Sequence, residues 1–397
     1  HFGCAPYASG TVITATFSPL SGTPTTGFKE LTTTNLPDPA VADGSEYFHP
    51  QTYTGTGSSG LAITNDASAG DFKPDLLWLA PRSNGDHKVL FDSVRTTNKR
   101  VKTNSADPQD SDTTAQITFE TDGFDLDTTD VNFNGSSRTY VAWQWHTTGG
   151  TTSSITDGSI NCTASVNTTA GVSVLTYEGT KSNATIGHGL GVAPKMIIIK
   201  DVDATESWVV GHDALGWTKN LFLNLTNAQQ TSSTIWNDTA PTSSVFSIGT
   251  SDGVNKTETH MAYCFAEVEG FSKFGHYKGN GSTDGPFVYT GFKPRWVLFR
   301  RYNAAEGWSI LDTARGSGNF GSDAGSGGTN PTAGNDMNNK INANDSAGEE
   351  DNPTGSRRAS FLSNGFKLRT TNTAMNSSDD YLYMAFAECP FKVATAR

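Results

Sequence analysis

The chain has 397 residues, 28 Lys and Arg against 40 Asp and Glu, and a formal net charge of −12. No basic tract is longer than the pair Lys99-Arg100, which argues against nucleic acid or an anionic membrane as a partner, and no apolar run approaches the roughly 18 residues of a membrane span. With 41 Gly, 17% charged residues and an excess of Thr, Ser and Asn, the composition favours strands and turns over helices, and 22 Phe, 11 Tyr and 8 Trp supply the core.

Residues 1–52 read as a connector and the end of a preceding domain. His1 is not a natural start, so a longer parent chain is expected. Thr11–Phe17 is a strand candidate, Leu36-Pro37-Asp38-Pro39 breaks the chain, and a short helix is predicted near Ala40–Phe48. Residues 53–149 form a first β-sandwich repeat. Its strands are predicted at Leu76–Ala80, Val89–Phe91, Gln116–Glu120, Phe124–Leu126 and Tyr140–Trp145, with Asp122-Gly123 as a hairpin turn. Residues 150–176 are a linker or an edge strand laid on a neighbour. A second repeat covers 177–275 and a third 276–397. The third holds the hairpin Ser360–Leu368, of which Val245–Ile248 is a weaker version. Its stretch Gly316–Asn352, nearly free of large apolar residues, is predicted to be an inserted polar loop and a contact surface.

The repeat assignment rests on spacing. Tyr53-Thr54-Gly55, Tyr177-Glu178-Gly179 and Tyr277-Lys278-Gly279 open the three copies. Lys73-Pro74-Asp75, Ala193-Pro194-Lys195 and Lys293-Pro294-Arg295 follow, and aromatic strands ending at Trp145, Phe265 and Phe386 close them. Pro74 to Trp145 and Pro194 to Phe265 are both 71 residues, while Pro294 to Phe386 is 92. Trp208 and Trp308 are each followed four residues on by His212 or Asp312. A period near 100 residues, with seven or eight short strands per unit, suits a two-sheet sandwich.

Chemistry is sparse. Cys4, Cys162, Cys264 and Cys389 are too far apart in sequence for a disulfide framework or a metal motif and suit a reducing cytoplasm. Glu267 and Glu269 alternate as glycosidase carboxylates do, but the pair does not recur in the other copies. Asp122, Asp125, Asp127 and Asp130 offer oxygen ligands for Ca²⁺ without EF-hand spacing. The histidines do not cluster, and no nucleophile elbow or phosphate loop is present. No catalytic residue, metal or cofactor is therefore expected. Trp143 and Trp145, like Tyr381 and Tyr383, share one strand face, either as core between sheets or as a platform for a sugar ring. Arg357 and Arg358, at the exit of the predicted insertion, are candidate anchors for a host ligand beside Trp143, Tyr381 and Tyr383.

The order of Phe28-Lys29-Glu30-Leu31, Asn35-Leu36-Pro37-Asp38-Pro39, Tyr53-Thr54-Gly55, Phe72–Trp78, Phe91–Arg95, Tyr140–Trp145, Gly187-His188-Gly189-Leu190 and Met384–Phe391 resembles a family of marine and cyanobacterial phage virion proteins, labelled tail fibre or concanavalin-like. His1–Pro6 resembles the close of a SPRY-type sandwich. The resemblance implies an all-β fold of three tandem concanavalin-like or jelly-roll sandwiches with long polar loops. It further implies a non-enzymatic virion protein, a tail fibre or appendage for host attachment, assembled in the host cytoplasm. Other virion proteins, a homo-oligomer (a trimer) and a host surface glycan are the expected partners. A glycan depolymerase and a bacterial surface adhesin or filament subunit are the alternatives.

Overall fold

Runs such as Leu76-Leu77-Trp78-Leu79-Ala80 and Met196-Ile197-Ile198-Ile199 lack polar alternation, the mark of strands covered on both faces. In the computed structural model both runs are buried throughout. The structure describes residues 40–66, 70–95, 97–111, 116–315, 336–350 and 358–387, all within one compact unit, Pro39–Arg397. The predicted strand Thr11–Phe17 lies outside the described residues.

The chain first forms β1 (Phe48–Thr54), β2 (Leu61–Thr64), β3 (Leu76–Pro81), β4 (Val89–Asp92) and β5 (Lys99–Lys102). Then come β6 (Asp110–Ser111), β7 (Ile117–Glu120), β8 (Gly123–Leu126), the one-turn helix α1 (Val131–Asn134) and β9 (Thr139–Trp145). The order β1-β9-β3-β4-β5-β6 makes a six-stranded sheet, and β2-β8-β7 a smaller one. Leu77, Leu79 and Phe91 of the large sheet pack with Phe119 and Phe124 of the small one, as in a sandwich.

The second segment contains β10 (Ser153–Ile155), β11 (Cys162–Asn167), β12 (Val172–Glu178), β13 (Ala184–Gly187), β14 (Met196–Asp201) and β15 (Val209–His212). It continues with β16 (Lys219–Phe222), β17 (Gln230–Thr231), α2 (Ser233–Trp236), β18 (Val245–Ile248), α3 (Asp252–Asn255) and β19 (Thr259–Phe265). Its large sheet runs β10-β11-β12-β19-β14-β15-β16-β17, and β13-β18 is the small one. The third has β20 (Ser272–Lys278), β21 (Phe287–Tyr289), β22 (Pro294–Arg301), β23 (Trp308–Asp312), β24 (Asp336–Met337) and β25 (Ile341–Asn342). It ends with β26 (Ala359–Leu362), β27 (Gly365–Leu368), α4 (Thr373–Asn376) and β28 (Asp380–Ala387). The sheets here are β20-β28-β22-β23-β25 and β21-β27-β26-β24. All ladders between these strands are antiparallel, and the protein is an all-β sandwich fold. No helix among the described residues is long and apolar enough to cross a membrane.

Several boundaries differ from expectation. The helix near Ala40–Phe48 is a single 3-10 turn, Gly44–Glu46, capped by Asp43, because Phe48 already pairs with Trp145 in β1. Residues 150–176 contain β10, the edge strand of the second large sheet, with β11 and most of β12 inward of it. The third large sheet begins at Ser272, before residue 276. Val245–Ile248 pairs with β13 and forms no hairpin of its own. The stretch Gly316–Asn352 is not one polar loop: Met337, Ile341 and Ala343 within it are buried.

The recurring Tyr-x-Gly has a clear local cause. Tyr53, Tyr177 and Tyr277 donate their hydroxyls to the carbonyls of Phe133, Val254 and Met375 in the one-turn helices. The next residue of each helix is a buried asparagine. Asn134, Asn255 and Asn376 each donate two hydrogen bonds to loop carbonyls and accept the N–H of Thr56, Thr180 or Asn280. A Cβ on Gly55, Gly179 or Gly279 would lie 1.8–2.4 Å from a backbone oxygen of the turn after the helix, so only glycine fits.

Candidate functional site

Beyond their small sheets, the three large sheets turn their other faces toward one another. Trp145, Phe265 and Phe386, from equivalent last strands, meet with ring centroids 6.4, 5.8 and 6.3 Å apart. They belong to a single apolar cluster that draws on all three large sheets. At its centre is a cavity of about 20 Å³ whose walls include Trp78, Trp145, Ile198, Phe265, Trp296 and Leu298.

Polar contacts close these faces into a ring. Gln109 N–H donates to Val202 O, Gln229 N–H to Tyr302 O, and Glu349 N–H to Arg82 O, each at 2.8 Å. Each bond thus joins one large sheet to the next, and the third returns to the first. A second cycle runs deeper. Asp92, His212 and Asp312 hold the same register opposite Leu76, Met196 and Trp296. Asp92 accepts the Tyr263 hydroxyl at 2.9 Å, His212 Nε2 donates to Tyr383 O at 3.2 Å, and Asp312 accepts Trp143 Nε1 at 3.0 Å.

A third cycle shows where the joints differ. Trp208 Nε1 donates to Lys102 O and Trp308 Nε1 to Phe222 O. Lys88 stands where these tryptophans do, immediately before the strand that carries Asp92, and its Nζ donates to Asp345 O and Ala347 O at 2.6 and 2.5 Å. Lys200 and Arg300 clasp the neighbouring loops through Ala106 O and Asn227 O, while Ala80 occupies the matching position of the first sheet. Each joint therefore has one buried cation on loop carbonyls. Burial lowers Lys88 and Lys200 to about 8 and Arg300 to about 10, against the pull of nearby carboxylates.

Asp75 ties the first large sheet to the next segment. Its carboxylate accepts the N–H groups of Thr147, Thr148, Gly149 and Gly150 at 2.7–2.9 Å and the Ser93 hydroxyl at 2.6 Å. Burial alone would raise its pKa, but bonds from His146, Ser93 and the backbone hold the carboxyl well below its usual range. His49 accepts from Arg295 at 3.0 Å, and burial followed by the Arg295 charge brings it down to about 4. Burial does the same to His212.

The sequence-predicted contact residues are not brought together at a surface. Trp143 and Tyr381 are 0% exposed and Tyr383 3%, which corrects their reading as a sugar platform. The reason is the second cover on the large sheets: Trp143 bonds Asp312, and Tyr381 stacks on Tyr277 and donates to Thr373 O. Arg358 is buried, with Nε donating to Asn338 O at 2.7 Å and Nη2 3.3 Å from Glu350, so it is no exposed anchor. Arg357, Cys4 and Cys389 lie outside the described residues. Glu267 is ion-paired with Lys273 at 2.6 Å. The acidic string does not converge: Asp130 caps α1 and pairs with Arg100, and Asp127 takes the Thr118 hydroxyl. Among the described residues no group of three His, Cys, Asp or Glu is placed to hold a metal ion. Sequence reasoning singled out Trp208, His212, Trp308 and Asp312 but missed Lys88 and Asp92, each 120 residues before Trp208 or His212, and the equally spaced Asn104, Asn224 and Asn344, which accept the N–H groups of Lys88, Trp208 and Trp308.

A family model described as a domain of unknown function, DUF7483, matches residues 43–390. No curated protein and no solved structure matches the chain.

Proposed function

The chain belongs to the DUF7483 family, and we propose that it is a non-enzymatic structural protein of a bacteriophage virion. In this reading it is a subunit of a tail fibre or appendage, with lectin-like sandwiches that take part in host attachment. The observation that carries the proposal is the closed ring of joints. Its aromatic side chains, buried cations and conspicuous Asp and His residues are engaged in holding sheets together, the investment expected of an architectural part. The motif order set out above supports the virion assignment. Partners are other virion proteins and further copies of the chain, a trimer being favoured, with a host glycan as ligand.

Antibody-gold labelling of intact particles tests this. Gold on the tail or a surface appendage is expected. Label confined to bacterial surfaces would favour an adhesin or filament subunit and overturn the proposal. The depolymerase alternative is tested by reducing-sugar release from host polysaccharide: none is expected, and release abolished by combined Glu267→Gln and Glu269→Gln would establish it.

A further inference from the structure

We propose that Phe287 and Tyr289 form a binding platform for a glycan chain, stacking on pyranose rings. The proposal takes its ligand class from the attachment reading and supplies the site that the buried Trp143, Tyr381 and Tyr383 cannot. Exposed large hydrophobic side chains are few among the described residues: Val131, Val192, Phe287 at 44% and Tyr289 at 64%. Phe287 and Tyr289 flank the buried Val288 on β21, so both project from the outer face of the small sheet, about 7 Å apart along the strand.

Their setting turns the rings toward solvent. A Cβ on Gly365 would meet Val288 O at 2.1 Å and the Phe287 ring at 2.9 Å, so the glycine that the backbone requires on β27 also leaves that ring room to lie across the sheet. Gly291, whose φ of +89° calls for glycine, stands beside the Tyr289 phenol, its Cβ position in ordinary contact 3.6 Å from the hydroxyl oxygen. Such rings offer their electron-rich faces to the C–H side of a sugar. The rim is polar. Lys367 lies opposite Phe287 and is 2.8 Å from the exposed carboxylate of Asp284, and Arg369 is 4.0 Å from the same oxygen. An acceptor next to donors suits adjacent sugar hydroxyls.

Internal comparison sharpens the assignment. Val288, Ile63 and Ile186 hold one register opposite Phe366, Phe124 and Phe246. The aromatic positions are thus Ala62 and Thr64 in the first small sheet, Thr185 and Gly187 in the second. In the second, the chain itself covers this edge: Ile160 N–H donates to Thr185 O, and Ile155 packs on Gly187. Among the described residues, only the third small sheet combines aromatic rings with an exposed face. A protein partner of ordinary size would need about 800 Å² of contact on each side, far more than two rings provide. Two rings suit one or two sugars of an extended glycan.

The test is a microarray of microbial and algal oligosaccharides and polysaccharides, probed with the full chain. Native protein is expected to bind a subset. Combined Phe287→Ala and Tyr289→Ala should weaken that binding at least about tenfold with an unchanged melting profile, while combined Phe287→Tyr and Tyr289→Phe should retain it. A blank array for native protein, or undiminished binding by the double alanine variant, overturns the platform. Particle labelling separates this from the virion reading: label on particles with a blank array leaves only the platform refuted. Binding that depends on the two rings, without label on particles, refutes only the virion reading.

Discussion

Trp145 sits 5.0–6.4 Å, centroid to centroid, from Phe48, Phe265, Trp296 and Phe386. Truncation to Ala there removes contacts to all three large sheets and should cost about 3–5 kcal/mol, measured as a shift in denaturation midpoint. An unchanged midpoint would mean that the faces are not packed together. Protonation at the joints gives a second prediction. Buried His49 and His212 have pKa values of about 4 against 6.5 for the free group. Between pH 6.5 and 4 the unfolded chain binds protons that these folded histidines refuse. Stability should therefore fall on acidification through that window, by up to about 3 kcal/mol for each histidine, and this histidine contribution stays constant below it. His146, raised beside Asp75 even though its own burial lowers it, acts in the opposite sense. Replacing His212 with Gln should flatten the pH profile of melting, and an unaltered profile would exclude it as the titrating group. At this scale the sequence was legible where an apolar run implied one environment, as at Leu76–Ala80. It was ambiguous for Trp143, Tyr381 and Tyr383, because alternation says that two residues share a face and not whether a second sheet covers it.

Strands and hairpins were read well where apolar runs met Asp-Gly or Asn-Gly, as at β7-β8 and β26-β27. What local pattern could not place was the boundary of the insertion. Arg95 and Arg315 make the same ion pair three residues after Asp92 and Asp312. Gln116 and Arg358 donate their N–H groups to Thr97 O and Met337 O alike. Asp92 to Arg100 is 8 residues and Asp312 to Lys340 is 28, so the extra length is 28 − 8 = 20 residues, positions 316–335. Joining Arg315 directly to Asp336 should leave the fold intact and raise its stability by about 1 kcal/mol through the shorter connection. Deleting 318–349 should instead prevent folding, since it removes Ile341, Ala343 and the Glu349–Arg82 joint. Thermal melts of both variants decide the matter, and equal behaviour would refute the assigned boundary. Polar composition alone had merged the two parts, because Asn and Asp serve loops and buried joints equally.

For the molecule as a whole, the shared core predicts one calorimetric unfolding transition for residues 39–397. Three resolved transitions would show that the sheet pairs fold as separate bodies. The ring also has a consequence for inheritance. Where three identical chains build a ring, one codon change alters every joint at once. Here each joint is written separately, and the joints differ. Lys88 stands where Trp208 and Trp308 do, Ala80 where Lys200 and Arg300 do, and residues 316–335 and the Phe287–Tyr289 rings belong to one sector only. Such a chain can keep a threefold frame under selection while a single sector drifts toward a new ligand.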